Sequence, residues 1–480
     1  MENAKQGFDI SDAKKNGAIM YCYLLFWSLT LLLCVPAACI YSGEGLDIFS
    51  NLYFIIISPS NLITDYFNVG GLGSTFLNAA LCGLSCNLMI RCSRARPNAR
   101  ILAGYFLVVG HCFYGLNFLN MWPTVLGVFI YTKVSGKKFS DNLPTAMFST
   151  ALAPFVSDFL FRYTLGEEFV FGELDLSVSG VIFTLIFGIL AGFAVPALLP
   201  ATTEMTRGYS LYKAGLAIGI LGMLVYSFLY KSLGISAPSP TVRQNFLYEQ
   251  NADKYTLFMN IFFIFIFSVS IIAGFFANGK SFRGYFNLFC STGYKVDFIE
   301  SFGAPDSIVN IGVFGLCIVL YFNIFYLLPL EISFTGPTAG VIIAAVTFCS
   351  SGQTPKNVWP IGLGYVIMAF ILQGISAIVG ADFELSSGTQ AYINSFAFAT
   401  GLCPFAGRYG WHIGVVAGML NAIICTSTSS LHGGFVLYNG GFTAGLTALV
   451  LLTVLDFYEV KVKYGEDTDK EKSITDTVSN

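Results

Sequence analysis

Charged residues are scarce in this sequence. Asp, Glu, Lys and Arg make up 11% of its 480 residues, whereas soluble domains average about 25%. Hydrophobic residues make up 55% and aromatic residues 16%, and apolar stretches of roughly 17 to 25 residues, the length that crosses a hydrocarbon core, recur along the chain. This composition excludes a soluble protein and predicts an integral membrane protein with many spans in the lipid bilayer.

The sequence also lacks the patterns of several function classes. No basic stretch is interleaved with aromatic residues, which argues against a nucleic-acid partner. The three histidines form no HxxxH or HExxH pair, and neither a GxSxG motif nor a glycine-rich phosphate loop is present. We therefore expect no enzyme and no metal or other cofactor. An intramembrane enzyme would need His111, His412 or Asp65 to meet a second titratable group, and that alternative stays open beside a structural or sensory role.

Internal duplication is the strongest positive feature. Residues 188–219 align without a gap with residues 414–445, at a constant offset of 226 residues, the difference between 188 and 414. We therefore predict one unit of roughly 235 residues that occurs twice. Three earlier anchors recur in the same order, namely 65–78 over 297–310, 112–127 over 349–364, and 152–155 over 402–405.

The charges between the apolar segments predict the topology. Lys and Arg mark cytoplasmic loops, and threading the chain by this rule gives about seven segments in each unit and places both termini in the cytoplasm of a cell-membrane protein. An odd number of segments inverts the second unit relative to the first. The predicted fold is an all-α polytopic membrane protein with two inverted-topology repeats of about seven helical segments each, some broken or re-entrant.

The same threading divides the chain into five regions. The polar C-terminal end, from residue 466 onward, is expected to be disordered. The regions are a cytoplasmic N-terminal tail (1–16), a first membrane repeat (17–231), a polar extracytoplasmic connection (232–255), a second membrane repeat (256–456) and a cytoplasmic C-terminal tail (457–480).

Polar and glycine-rich residues interrupt the apolar segments at matching positions. Irregular backbone is tolerated at membrane depth only where it is buried in protein or lines a wet cavity, so paired interruptions point to a binding site. In the first pair, the residues form either a pore loop that replaces solute hydration or helix caps and loop charges at the interface. The matched residues are Asp65, Gly71 and Asn78 with Asp297, Gly303 and Asn310.

The second pair of interruptions lies in the aligned stretch of the two units. Glycines four residues apart, such as Gly215 and Gly219, are typical of close helix packing, whereas the neighbouring polar side chains are not needed for packing. Ionisable residues at this break either act on a solute or lie at the interface. The candidate site residues here are Gly208 and Tyr212 with Gly434, Tyr438 and Asn439.

Two resemblances accompany these motifs. GGLGSTFLN and the later LHGGFVLYNGGFTAGL are similar to a loosened version of the urea transporter repeat, although Ser74 stands in place of the glutamine and no NNP comes after Leu77. The whole chain resembles more closely a family of bacterial multi-pass proteins known only as a domain of unknown function. The first resemblance implies solute passage, and the second implies no activity.

These features predict a transporter or channel for a small polar solute, neutral or zwitterionic, at the repeat interface. The alternative is a proton- or sodium-coupled carrier of an organic anion or amino acid, with Asp65 and Asp297 as the cation sites. Equivalent side chains are expected to approach each other across the pseudo-twofold axis and to surround one cavity. Homo-oligomerisation is left open. The four side chains expected there are Asn78, Asn310, Tyr212 and Tyr438, flanked by Gly71, Gly303, Gly208 and Gly434.

Overall fold

The computed structural model describes residues 10–58, 60–62, 64–161, 176–234, 245–380 and 386–465. All regular structure in these ranges is helical, and ten helical segments in them, some of which join neighbouring elements across a 3-10 or π-helical turn, are long and apolar enough to cross a membrane. The prediction of an all-α polytopic membrane protein is therefore confirmed. The expected disorder at the C-terminal end concerns residues 466–480, which lie outside the described residues.

The first unit contains a long helix, a broken helix, a helical hairpin, a helix interrupted by a 3-10 turn, and two more long helices. A 3-10 turn at Thr150–Leu152 separates α6 from α7, and a π-helical turn at Ser227–Ser232 extends α9. The helices are α1 (Ile10–Ser42), α2 (Ile48–Ile57), α3 (Tyr66–Ser93), α4 (Ala99–His111), α5 (Trp122–Val134), α6 (Phe139–Ser149), α7 (Ala153–Phe161), α8 (Val178–Met205) and α9 (Lys213–Tyr226).

The second unit repeats this series. Its α12 and α13 correspond to the two parts of the broken α3, and its shorter elements are 3-10 turns at Val346–Phe348, Ser386–Gly388, Thr400–Leu402 and Ser429–His432 and a π-helical turn at Asn323–Leu327. The helices are α10 (Phe246–Ala277), α11 (Arg283–Phe289), α12 (Phe298–Phe302), α13 (Ala304–Phe322), α14 (Leu328–Leu330), α15 (Gly336–Ala345), α16 (Pro355–Val379), α17 (Gln390–Ala399), α18 (Cys403–Tyr409), α19 (Trp411–Thr428) and α20 (Asn439–Phe457).

Two helices begin earlier than the predicted boundaries. The first helix starts at Ile10, inside the region 1–16 expected to be a tail. Helix α10 starts at Phe246, inside the predicted connection 232–255, because the side chain of Asn245 caps it by accepting from two backbone N–H groups of its first turn. Polar residues at this point thus belong to the first turns of a helix rather than to a loop.

Hydrogen bonds between the two units identify two opposite ends of the helix assembly. At one end, the backbone N–H of Leu62 donates to the carbonyl of Gly434 at 2.7 Å, and the N–H of Gly336 donates to Asp65 at 2.8 Å; we call this end the Asp65 side. At the other end, Nη1 of Arg408 donates to the hydroxyl of Tyr209 at 3.0 Å; we call it the Arg408 side.

The equivalent helices α9 and α20 run in opposite directions between these ends. Helix α9 finishes on the Asp65 side, where the ring of Tyr226 lies 6.1 Å from that of Phe435. Helix α20 starts there, at Asn439, and finishes on the Arg408 side, where Asp456 forms a salt bridge with Arg207. The antiparallel course of equivalent helices confirms that the two repeats are inverted.

Glycines allow equivalent helices to cross at close range. A Cβ atom on Gly215 of α9 would lie 2.5 Å from the carbonyl carbon of Gly441 of α20. A Cβ atom on Gly110 of α4 would lie 2.6 Å from the carbonyl oxygen of Gly340 of α15. Real side chains do not approach so closely, so the predicted packing role of the small residues is confirmed at the centre of the repeat interface.

Each unit contains one broken helix and one hairpin. Equivalent asparagines, one in each unit, hold the helix and the hairpin together. Nδ2 of Asn78 donates to the carbonyls of Cys112 and Leu116, both at 2.9 Å. The equivalent Asn310 donates to the equivalent carbonyls, those of Cys349 and Gln353, at 2.8 and 2.7 Å. These carbonyls lie at the hairpin tips, where the chain leaves the helix and loses its intrahelical donors, so the two amides replace bonds that a continuous helix would supply.

Replacing Asn78 or Asn310 by alanine is expected to lower the free energy of unfolding by about 1–3 kcal/mol, because each change leaves two buried carbonyls without their donor. Chemical unfolding in detergent measures the effect. Asn142→Ala is the matched control, since Asn142 is only half-buried and donates to one backbone carbonyl at the surface. Equal stability of the Asn78, Asn310 and Asn142 variants would contradict the tip-holding role.

Candidate functional site

A cavity of about 240 Å³ lies between the repeats on the Asp65 side. The first unit contributes Leu62 and Tyr114 to its wall, and the second contributes α15, α17, the 3-10 turn after α19, and the start of α20. Ser430 is exposed at the rim, whereas Tyr114 and Phe398 are buried at the back. None of the described lining residues is an acid, a lysine or an arginine, and the polar ones are Gln390, Asn394, Ser395, Ser429, Ser430 and Asn439.

A hydrogen-bond network fixes one polar wall of the cavity. Nε2 of Gln390 donates to Thr338 Oγ1 at 2.6 Å and to Asn394 Oδ1 at 2.7 Å. The hydroxyl of Thr335 donates to Oε1 of the same glutamine at 3.1 Å. Thr335 also caps α15, accepting from the N–H of Thr338. The network therefore joins the start of α15 to the first turns of α17 and holds the amides in place.

Two amide groups are left with donors for a solute. Oδ1 of Asn394 accepts from Gln390 and Thr338, and Oδ1 of Asn439 faces Nε2 of His432 at 3.0 Å. Because both oxygens are engaged, and since both residues line the cavity, their Nδ2 groups are the parts that remain for a bound molecule. A solute that carries hydroxyl, carbonyl or carboxylate oxygens matches these donors.

His111 lies directly behind the cavity wall. Its ring is 5.0 Å from that of Tyr114 and 5.9 Å from that of Phe398, and both of these line the cavity. Its Nε2 lies 3.1 Å from the carbonyl oxygen of Leu437, and the N–H of Leu437 donates to Ala151 at 2.9 Å. Leu437 of the second unit is thus held by the first unit at both of its backbone groups.

Asp65 joins the two repeats beside the cavity. Its Oδ1 accepts from the N–H of Phe67, the start of α3, at 2.9 Å and from the N–H of Gly336, the start of α15, at 2.8 Å. Gly336 precedes the lining residue Pro337. Desolvation of the carboxyl outweighs these bonds and raises the pKa of Asp65 to about 6. The residue is both the predicted helix cap and a link between units, which the sequence did not indicate.

Asp297 does not repeat that link. Its carboxylate accepts only from Ile299 and Glu300 of its own helix among the described residues. Burial raises the pKa of Asp297 too, in part opposed by the hydrogen bond from the backbone N–H of Glu300. The helix-cap interpretation therefore holds for both aspartates, but only Asp65 extends across the interface.

The expected meeting of Asn78 and Asn310 in one cavity is corrected by the structure. Each amide is bound to the hairpin of its own unit, and neither lines the cavity. The physical reason is the backbone: hairpin tips in an apolar interior have unpaired carbonyls, and an adjacent asparagine satisfies them.

At the helix breaks at Gly71 and Gly303, too, the free backbone groups are satisfied by the protein itself. Gly71 has φ 86° and Gly303 has φ 97°, both in the region that favours glycine. After the first break, the carboxylate of Glu44 accepts from the N–H groups of Gly73 at 2.8 Å and Ser74 at 3.2 Å. After the second, Oδ1 of Asn16 accepts from Ala304 at 3.1 Å. Side chains of the protein itself thus accept hydrogen bonds from the free N–H groups at both buried helix starts.

Tyr212 and Tyr438 lie at the repeat interface as predicted, but behind the cavity. The hydroxyl of Tyr212 donates to the carbonyl of Ala344 at 3.0 Å, and its ring lies 5.3 Å from Phe398. The ring of Tyr438 lies 5.0 Å from His111. Each tyrosine therefore packs against the opposite unit, while the neighbouring Asn439 lines the cavity itself, as does Gly434.

On the Arg408 side, the counterpart of the cavity wall carries charged and aromatic side chains. Lys213 stands where Asn439 stands in the second unit, and a Cβ on Gly208, the counterpart of Gly434, would lie 3.0 Å from Cγ of Lys295. The guanidinium carbon of the buried Arg408 lies 4.2 Å from the ring centre of Tyr294. The two sides of the molecule thus differ in charge although the backbone is duplicated.

Sequence reasoning missed Gln390 and Asn394 and assigned His111 only to an enzymatic alternative. A signal existed for the first two, because two amides four residues apart face the same way on a mainly apolar helix. For His111, the signal was its counterpart in the repeat, Phe348. An aromatic ring without a polar atom fits the equivalent position, so packing alone does not need the ring nitrogens of His111. Neither signal depends on a motif.

Comparison with known proteins gives one result. A family model matches residues 45–231 and 277–457, which correspond closely to the two structural repeats. No curated protein and no solved structure matches the chain, and the similarity to the urea transporter repeat stays a prediction. Because the two matched regions cover most of the chain, it belongs to the family described as "Protein of unknown function (DUF1576)".

Proposed function

We propose that the protein is a membrane transporter of a small polar solute, neutral or zwitterionic, that moves along a pathway at the inverted-repeat interface. The observation that carries this proposal is the cavity of about 240 Å³, which both units build and which amides and hydroxyls line together with apolar side chains, without a described charged residue. Inverted-repeat transporters bind their solutes at such interfaces. The volume suits a molecule smaller than the drug-sized ligands that fill pockets of about 300 Å³ and more.

The difference between the two sides favours a carrier over an open channel. The cavity reaches the surface on the Asp65 side, whereas the corresponding stretch on the Arg408 side carries the Arg207–Asp456 salt bridge and the contact of Arg408 with Tyr209. Inverted units can exchange their conformations, since each has the same backbone plan. We propose that this exchange exposes the solute to the other side.

We also propose an arrangement of the protein in the membrane. The hairpin α4–α5 is re-entrant in it, because α4 and α5 have 13 residues each and a helix of that length spans about 20 Å of a roughly 30 Å core. The Arg408 side faces the cytoplasm of a cell membrane, together with both termini, because Arg91, Arg94 and Arg96 lie at the end of α3 on that side.

The double variant Asn394→Leu/Asn439→Leu is expected to reduce uptake of the transported solute by about tenfold or more, because each lost hydrogen bond to a neutral solute weakens binding by roughly 0.5–1.5 kcal/mol. The measurement is uptake into proteoliposomes of labelled polyols, amides and zwitterionic amino acids. Asn142→Leu, at a half-buried position outside the cavity lining, is the matched control.

Two results would overturn different parts of this proposal. If the wild type takes up none of these solutes, the transport function is wrong. If it takes one up and the double variant does so equally well, transport stands but the cavity on the Asp65 side is not its site.

A proton-coupled carrier is the second candidate, and Asp65 favours it. The carboxyl lies against the cavity wall and joins the repeats, and its pKa of about 6 is close enough to neutrality for it to take up and release a proton during transport. The phenols of Tyr248 and Tyr255 are its titratable neighbours. Coupling would then depend on one aspartate, not on the symmetric pair expected from the sequence.

If Asp65 carries the proton, wild-type uptake rises as the external pH falls from about 7.5 through 6, and Asp65→Asn removes that dependence. Asp297→Asn, which alters the equivalent carboxyl without a cross-repeat bond, keeps it. A second readout does not need transport. Because the folded pKa lies above the unfolded value of about 3.9, the contribution of Asp65 to stability is complete below about pH 4 and lost as pH rises through about 6.

The stability difference between wild type and Asp65→Asn should therefore change over that range of pH. Thermal unfolding in detergent at a series of pH values measures it. A pH-independent difference, together with unchanged pH dependence of uptake, would contradict proton coupling at Asp65.

A further inference from the structure

Helix α5 differs from its counterpart in the second repeat in its length and in the residues after its C-terminal end. Helix α5 has 13 residues and α16 has 25. Where α16 continues as an apolar helix with Phe370 and Ile375, the first repeat has Lys133 and Lys138, and the chain turns between them at Gly136 with φ 64°. The first repeat thus replaces lipid-facing apolar helix with a basic turn.

An apolar groove lies beside this short helix. It has a volume of about 430 Å³ and is formed by α3, α5, α6 and α8. Its lining contains no charged residue, and several of its side chains are exposed on the outside of the helix assembly. The main lining residues are Met89, Trp122, Leu126, Phe129, Phe139 and Leu185.

Three exposed cations stand at one end of the groove. Nζ of Lys133 lies 5.3 Å from the ring centre of Phe129, a lining residue. Lys138 directly precedes the lining residue Phe139, and Arg91 lies in the last turn of α3 after Met89. The acid of this stretch, Asp141, accepts from its neighbour Ser140. The groove therefore runs from a basic end into purely apolar surface.

We propose that this groove is a binding site for an anionic phospholipid. The cations at Lys133, Lys138 and Arg91 receive the phosphate headgroup, and one acyl chain lies against Phe129, Leu126 and the residues beyond them. Basic residues beside helices on the cytoplasmic side attract anionic lipids in this way. At about 30 Å³ for each water-sized group, the volume of 430 Å³ holds roughly fourteen such groups, comparable with one acyl chain.

The charge distribution favours a lipid over a second copy of the chain. An interface between copies would place the lysines against another protein surface and would need acids there to pair with them. An anionic lipid satisfies both the basic end and the apolar groove with one molecule. It does not enter the transport pathway, because the lining residues of the groove and of the cavity are different sets.

The test is native mass spectrometry of the full-length protein released from detergent, after incubation with phosphatidylglycerol or phosphatidylcholine of the same chain length. The wild type should retain phosphatidylglycerol preferentially, and Lys133→Gln/Lys138→Gln should reduce that preference on the order of tenfold. Leu126→Trp, which fills the groove, should reduce retention of both lipids.

Lys280→Gln is the matched control, because Lys280 is also exposed at a helix end with its Nζ 5.9 Å from a ring, that of Phe276, but that ring does not line this groove. It should retain lipid as the wild type does. Equal retention of the two lipids by the wild type would overturn the proposal, as would a preference that the double lysine variant keeps. A dimer that Leu126→Trp dissociates, without any lipid preference, would instead assign the groove to a second copy.

Discussion

The need to satisfy backbone groups away from water is the constraint on which the rest of this structure depends. Each repeat breaks one helix at a glycine and folds a hairpin against it, and both features leave carbonyls or N–H groups without helical partners. Asn78 and Asn310 supply the missing donors at the tips, and Glu44 supplies acceptors at the first break. Because these bonds are internal, irregular backbone can lie deep in an apolar assembly.

Once the hairpins are fixed, the interface between the repeats is fixed too. The hairpin helices cross at glycines, and the loops that precede α9 and α20 each bond to the opposite unit, through Leu211 to Gly401 and Leu437 to Ala151. The duplicated backbone gives both sides the same plan, but the side chains differ. Asn439 lines the cavity where its counterpart Lys213 does not, so the asymmetry that the proposed carrier requires lies in the side chains.

Duplication made much of the fold predictable from the sequence. An odd number of segments in a repeated unit implies inversion, and the paired glycines and aspartates lie at helix breaks and caps, one of the two interpretations that the sequence left open. The residues that line the cavity were harder to predict from the sequence. Asn78 resembles a solute ligand in sequence because it is polar within an apolar helix, but its partners are carbonyls 34 and 38 residues later. Gln390 and Asn394 belong to no duplicated motif, so only the tertiary arrangement brings them to the start of α20.

The central claim is that inverted units expose equivalent positions to opposite sides of the membrane along one interface. Labelling of Asn439→Cys and Lys213→Cys with a membrane-impermeant maleimide, from each side in turn, tests it most directly when compared with the parent chain and its twelve native cysteines. We predict that residue 439 reacts from one side and residue 213 from the other. Reaction of both from the same side would contradict the account.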